Sequence, residues 1–276
     1  MKVNIIPMAG LGSRFSKEGY ILPKPLIPVS GRPMISQVIK GLPSADKWIF
    51  VVRKEHVEKY ELDVLIKAEV KDAIVVIEEE PWGQAPSCIM AMPHVADDDE
   101  IFISACDNSF LYNEENFNEL RKRNDVDMIV WTFTKDTLLT DNPNAWGWLK
   151  LEEDGETIED VSVKVPVSET PFNDHAVVAS FYFKRAGDFK LAYENMCKED
   201  YRINGEFYVD SMPIFMKKLG KKSVIFDINL YVGWGKPSDL YQYQVKELEY
   251  QLKKMNHEVL DSSWDIFFTL IEKNGN

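Results

Sequence analysis

Cysteine is scarce in this chain of 276 residues: there are three, Cys88, Cys106 and Cys197. They are odd in number, far apart and set in apolar or helical contexts. That favours buried thiols in a reducing compartment over a disulfide framework or a zinc site as the organising device. No run reaches the ~18 apolar residues a bilayer-crossing helix needs, so no segment is expected to span a membrane. Basic residues are in deficit, with 32 Lys and Arg against 45 Asp and Glu, a formal net charge of −13. A surface of that sign lacks the basic face that nucleic-acid phosphates require and is repelled by anionic membranes. Low-complexity tracts are also missing, which argues against long disorder. The opening MKVNIIPMAG has one early charge and a short apolar run that soon meets Gly, Ser and Arg. It reads as a first buried strand rather than a signal peptide, and a cytoplasmic location is expected.

What is present is a globular composition, 45% apolar and 28% charged, with chain enough for one large domain or one with a small appendage. In the first half, strand-like runs at residues 3–7, 48–52, 73–77, 100–104 and 127–134 alternate with helical patterns at 34–39, 56–67, 86–92 and 114–123. That rhythm implies a mainly parallel sheet with helices on both faces, whose ligands sit at the carboxyl ends of the strands. The second half turns to strand runs at 146–152, 157–165, 176–184 and 222–226, with helical patterns at 188–196 and 206–218. The economical picture is a mixed sheet with an antiparallel extension. From Pro237 onward the chain reads as helix, and Val245, Leu248, Leu252 and Met255 form an apolar stripe that must pack on something. The expected organisation is a domain over residues 1–245 and a helical extension over 246–276, packed on that domain or making a subunit contact.

The sharpest local signal is Ala9-Gly10-Leu11-Gly12-Ser13-Arg14-Phe15, followed by Pro23-Lys24-Pro25-Leu26. Glycines directly after a buried strand let backbone N–H groups approach a phosphate with no Cβ in the way. Arg14 can bridge two phosphate oxygens with its fork, and Lys24 can add a compact second charge. This is neither a G-x-x-x-x-G-K-[ST] loop nor G-x-G-x-x-G, because the residue three after Gly12 is Phe15. Asp107 closes the apolar run 101–104, a place for a carboxylate to hold a hard cation such as Mg²⁺.

These residues resemble the signature of the nucleotidyltransferases that activate sugar 1-phosphates with an NTP, roughly A-G-x-G-[ST]-R with a downstream K-P. The resemblance continues in chain order through Glu80-Pro81-Trp82-Gly83-Gln84-Ala85, like the family's base-contacting loop, and Ser104-Ala105-Cys106-Asp107, like its magnesium aspartate. It extends through residues 142–150 and Val163-Lys164-Val165-Pro166, like its P-x-x-Y-G strand and E-K-P element. Glu206-Phe207-Tyr208-Val209-Asp210 and Lys236-Pro237-Ser238-Asp239-Leu240 resemble its closing helix and G-T-P-x-D-L turn. It implies a Rossmann-like three-layer αβα fold with a mixed, mainly parallel sheet. It also implies Mg²⁺-dependent transfer of an NMP group from an NTP to a small phosphomonoester, with release of pyrophosphate. By the same resemblance Arg14 and Lys24 are catalytic. Met8, Ala9, Gly10, Gly12, Ser13, Glu78, Gly83 and Gln84 contact the nucleotide, Lys164 and Glu206 the acceptor, and Asp107 the metal.

Three positions depart from that pattern. Gly233 stands where the family carries its second metal aspartate, leaving Asp227 or Asp210 as substitutes, or Asp107 with phosphates alone. Val163 replaces the glutamate that holds a sugar hydroxyl, and valine accepts nothing. The acceptor is therefore a sugar held by other groups or a non-sugar phosphate such as phosphocholine or a phosphorylated amino acid. Trp82, Trp146 and Trp148 offer a cage for a cationic acceptor or, equally, core packing. Glu78, five residues before Gly83, accepts only and suits the cytosine amino group, which favours CTP over UTP or dTTP, although a uracil or thymine ring N–H also donates and an exposed acidic run Glu78-Glu79-Glu80 is an equal reading. A glycosyltransferase of related fold would carry D-x-D where this chain has Asp107-Asn108-Ser109; a non-catalytic nucleotide-binding regulatory subunit stays as an alternative, with Arg14, Lys24 and Asp107 against it and Gly233 and Val163 for it. The sequence leaves the oligomeric state open.

Overall fold

A computed structural model describes residues 1–273, and the chain forms two compact units. The first comprises Met1–Gly10, Ser44–Ala105 and Glu114–Asp227, and the second comprises Leu11–Pro43, Cys106–Asn113 and the chain from Ile228 onward.

One nine-stranded sheet organises the first unit. Its parallel block runs Glu100–Ser104, Lys2–Met8, Lys47–Arg53, Ile74–Glu78, in register through Ile5 opposite Ile103 on one side and Ile49 on the other. These strands are nearly continuous apolar runs, as expected where both faces are covered. His175–Phe183 then pairs antiparallel with Glu100–Ser104, Met128–Phe133 and Gly147–Leu151. Ile158–Val163 closes one edge antiparallel to Gly147–Leu151, and Ser223–Asp227 lies parallel to Met128–Phe133. Only His175–Phe183 and Ile158–Val163 run against the other strands, so the sheet is mixed and mainly parallel, as the alternating pattern predicts.

Strand alternation builds the three layers. Ile101, Ile103, Met128, Val130, Phe181 and Phe183 face one way, into a core with Cys88 of the helix Gln84–Ala91, Phe189 of Ala186–Lys198 and Phe215 of Met212–Lys218. The residues between them face the other way. Phe102, Trp131 and Tyr182 surround Phe117 of the helix Glu114–Lys122, with the Phe117 and Trp131 rings 4.9 Å apart. Burial of each such ring contributes roughly 1.5–3 kcal/mol. Cys88 and Cys106 are buried, Cys197 is half-buried, and all three thiols are free. Among the described residues no helix is long and apolar enough to cross a membrane.

The second unit holds two small antiparallel ribbons, Pro28–Val29 with Arg32–Pro33 and Asn108–Leu111 with Leu230–Gly233, beside the helices Pro237–Met255 and Ser263–Lys273. Residue 245 falls inside the first of these helices. Its packing face is not the expected stripe. Leu248, Leu252 and Met255 are exposed, whereas Leu240, Tyr243 and Tyr250 are buried. Phe268 sits 5.3 Å from both the Tyr243 and the Tyr250 ring, and the Tyr243 hydroxyl hydrogen-bonds the Ser30 hydroxyl at 2.6 Å. The tyrosines win the core because large rings bury more area than the aliphatic stripe.

Two helical patterns are interrupted. Residues 56–67 split into Lys54–Tyr60 and Leu62–Glu69 at Glu61, whose φ of 51° ends the first helix and begins the second. The pattern at 206–218 becomes helical only from Val209, because residues 206–207 are engaged elsewhere: Glu206 bridges to Ile203, and the Phe207 carbonyl accepts from Ala85 N–H. Trp148 is a core residue, its indole N–H donating to the Pro143 carbonyl at 2.9 Å, while Trp82 is exposed and Trp146 packs on Phe133. The three do not form a common cage.

Candidate active site

Met8 ends the first strand with its side chain in the core, and Ala9 is also buried, so only the backbone of either can meet a ligand. Gly10 is exposed, and nothing lies near where its Cβ would be. Gly12 has φ +60° and caps the short helix Ser13–Lys17, its carbonyl accepting from Phe15 N–H at 3.0 Å. A side chain there would be strained by the left-handed backbone and would press the Lys24 Cβ at 3.4 Å. Phe15 is buried and anchors the turn, whereas Ser13 and Arg14 are exposed, and Arg14 forms no ion pair among the described residues.

Lys24 follows Pro23 in a single 3₁₀ turn, Lys24–Leu26, and its Nζ donates to Asp107 Oδ2. Burial pulls the ammonium down, but the Asp107 carboxylate more than offsets this and Cys106 adds to it, so the pKa is raised overall. Burial also pushes the Cys106 thiol up to about 11, which leaves it an inert neighbour. Asp107 accepts Trp234 N–H at its carbonyl, 2.8 Å away, and Gly233 lies opposite Asn108 in the adjoining ribbon. A Cβ on Gly233 would lie 2.9 Å from the Tyr231 ring, which folds over the space a carboxylate there would need.

A second carboxylate comes from elsewhere in this unit. At Gly235 a Cβ would lie 3.1 Å from Asp107 Oδ2 and 3.9 Å from Asp239 Oδ2, so the bare glycine leaves a cradle between two carboxylate oxygens. Asp239 pairs with Lys236 at 3.5 Å. Its pKa is raised, mainly by burial, with Lys236 opposing, the Asp107 charge raising and the Arg14 charge lowering it. Among the described residues no three His, Cys, Asp or Glu side chains gather as a closed metal cage. Two hard oxygen donors with room beside them still fit a cation such as Mg²⁺, which keeps water and phosphate in its shell. Sequence reasoning missed Asp239 because nothing local in Pro237-Ser238-Asp239 points at Asp107.

The remaining candidates belong to the first unit. Glu78 is buried at the end of its strand and accepts from the Ser87 hydroxyl at 2.7 Å; Ser87 also lies 3.0 Å from the Gly83 carbonyl. Burial raises the Glu78 carboxyl, and the Ser87 hydrogen bond opposes this. Gly83, at φ +118°, sits against the next segment: a Cβ would be 3.3 Å from Glu206 Cβ, and Ala85 N–H donates to the Phe207 carbonyl at 3.2 Å. The structure thereby brings Gly83, Gln84 and the exposed Glu206 together. Lys164 has φ +65°, its N–H held by the Trp146 carbonyl at 2.8 Å and its ammonium 5.5 Å from the Tyr208 ring. Asp227 has its own donors, Thr132 at 2.6 Å and His175 at 3.0 Å. Although burial would raise it, these hold its pKa below the ordinary value.

Asp210 is different, because burial pushes its carboxyl up to about 6, opposed by its own backbone N–H and by Lys164. Since that value exceeds the ordinary 3.8, the protonated form favours the fold. Its stability contribution is present below about pH 4 and lost as the pH rises through about 6. Asp210→Asn is therefore expected to stabilise the protein by about 1–2 kcal/mol at pH 7 and to flatten that pH dependence. Denaturant midpoints at pH 4 and 7 check this; an unchanged pH 7 midpoint contradicts it.

The profile of the MobA-like NTP transferase domain matches residues 4–148, more than half of the chain. No curated protein matches the sequence significantly. Among solved structures, the nucleoside-diphosphate-sugar pyrophosphorylase from Vibrio cholerae RC9 is similar with a TM-score of 0.70 and 19% identity, over 87% of this chain and 98% of that one. The inositol-1-phosphate CTP transferase from T. maritima is similar with a TM-score of 0.69 and 16% identity, over 89% and 94%. A UDP-glucose pyrophosphorylase complexed with UDP-glucose is similar with a TM-score of 0.66 and 15% identity, over 90% and 99%. At such identities the likeness establishes a shared Rossmann-like fold. The family match goes further: the chain belongs to the MobA-like NTP transferase domain family and is a nucleotidyltransferase.

Proposed function

We propose that the chain transfers an NMP group from an NTP to a small phosphomonoester and releases pyrophosphate. The observation that carries this reading is the Gly12–Lys24–Asp107 constellation, with the exposed Arg14 guanidinium, which has no ion-pair partner among the described residues, on the same turn. Attack of a phosphate oxygen on the α-phosphorus needs charge neutralisation and an in-line approach more than covalent help. Arg14 would bind the triphosphate and meet the charge that develops on departing pyrophosphate. Lys24, held in place by Asp107, would steady the α-phosphate. Asp107 and Asp239 would hold a Mg²⁺, which when bound supplies further positive charge to the phosphate oxygens.

Gly83 and Gln84 would receive the base. Because Glu78 is engaged by Ser87, the reason to favour CTP weakens, and choice among CTP, UTP and dTTP passes to the Gln84 amide, which both donates and accepts. Lys164 would take the phosphate of the acceptor, either a sugar 1-phosphate or a non-sugar ester such as phosphocholine or a phosphorylated amino acid. Pyrophosphate release across a panel of NTPs and phosphomonoesters, with and without Mg²⁺, tests the reading. Release dependent on one NTP and one ester is the expected result. NTP consumption indifferent to every ester would refute it.

A further inference from the structure

We propose that Asp210 selects the acceptor: its carboxylate receives an N–H or O–H donor that the phosphomonoester carries beside its phosphate. This rests on the transfer reading above and narrows its substrate to phosphorylated amines or polyols.

The argument starts from an imbalance. Glu78, Asp99, Asp188, Asp227 and Asp265 are low-exposure or hydrogen-bonded acids of the fold, and each has a donor or cation at hand: Ser87, the chain amino group, Lys221, Thr132 with His175, and Lys253. No side chain among the described residues hydrogen-bonds Asp210, although burial acts on it strongly enough to raise its pKa. Asp210 is half-buried, so solvent or a ligand can still reach the carboxylate that no other side chain engages.

The surroundings point to a ligand. Asp210 Oδ2 lies only 2.4 Å from where a Cβ on Gly147 would stand, and Val177 Cγ2 lies 3.2 Å from the same point. The carboxylate is thus seated against bare backbone, and a side chain at position 147 would displace it. Lys164 is near enough for its charge to act on Asp210, yet it forms no ion pair with it and leans over the Tyr208 ring. Its left-handed φ of +65° is a conformation a lysine adopts at a cost of about 1 kcal/mol or more. Among the described residues neither Lys164 nor Asp210 has an ion-pair partner, so a cation and a carboxylate are held apart, as a ligand with phosphate at one point and a donor at another requires. The neighbouring Val163 is buried and accepts nothing, so it offers no competing acceptor for such a donor.

The test compares wild type, Asp210→Ala and Asp210→Asn by pyrophosphate release. The acceptors are phosphoethanolamine, phosphoserine, glucose 1-phosphate and methyl phosphate, whose methyl group offers no donor. Wild type should use at least one of the first three at least tenfold better than methyl phosphate. Asp210→Ala should raise the KM for that acceptor tenfold or more, leave the KM for NTP within twofold, and erase the preference over methyl phosphate. Asp210→Asn separates the two donor types, since its amide oxygen still accepts from a hydroxyl but no longer offsets an ammonium charge. A melting temperature within a few degrees of wild type shows that the variants fold. If wild type uses methyl phosphate equally well, or if Asp210→Ala keeps both KM and preference, the selection role is wrong and the transfer reading stands. If no NTP yields pyrophosphate with any ester, both fall.

Discussion

Arg14→Ala should lower turnover by about 10²–10³-fold or more, the usual loss when one preorganised charge on a transferring phosphoryl group is removed. The same substitution should leave the melting temperature within about 1–2 °C of wild type, because exposed side chains away from caps and cores rarely matter by more than ~0.5 kcal/mol. Arg14 is exposed and unpaired, and the turn that carries it is held by Gly12 and the buried Phe15. Steady-state pyrophosphate release and a thermal melt on the same preparation decide the matter. Turnover within threefold of wild type would remove the main support for the proposed reaction. Arg14→Lys should recover part of the loss, since an ammonium restores charge but not the planar fork.

Lys24→Ala and Asp107→Asn should each cost a comparable factor of about 10² or more in turnover, but unlike Arg14→Ala they should also reach stability. The two side chains form one ion pair, each about a fifth exposed at 21% and 23%. Removing either partner leaves the other half-desolvated, at about 1–2 kcal/mol after allowance for solvent screening. The double variant should therefore melt close to the singles rather than at the sum of their losses, because both remove the same contact. Denaturant midpoints of the three variants provide the measurement. Additive losses would show that Lys24 and Asp107 act separately, contrary to the geometry.

Much of this was legible from residue order alone, for a local reason. The Gly12 turn, Arg14 and the prolyl-flanked Lys24 lie within a short stretch whose backbone demands are set by its own residues. Asp107 was legible because it follows a strand that needs no partner to be recognised. The helix expected from residue 206 was misplaced because the Phe207 carbonyl is claimed by Ala85, far away in sequence. The apolar stripe at Leu248, Leu252 and Met255 satisfied the helical period, yet the rings of Tyr243 and Tyr250 found better partners in Phe267 and Phe268. For Glu78, read as a base contact in an acidic run, only the structure shows that Ser87 donates to it.

Taken by itself, residue order pointed to the kind of enzyme through its resemblance to a known family, and it determined the alternating strand–helix pattern and the glycine turn with its two cations. Those follow from periodicity and backbone freedom, which act over a few residues. Only the tertiary structure decided that Tyr231 fills the space beside Gly233, that Asp239 stands across Gly235 from Asp107, and that no other side chain among the described residues hydrogen-bonds Asp210. Each of these depends on which distant side chains share one small volume, and that is settled by packing.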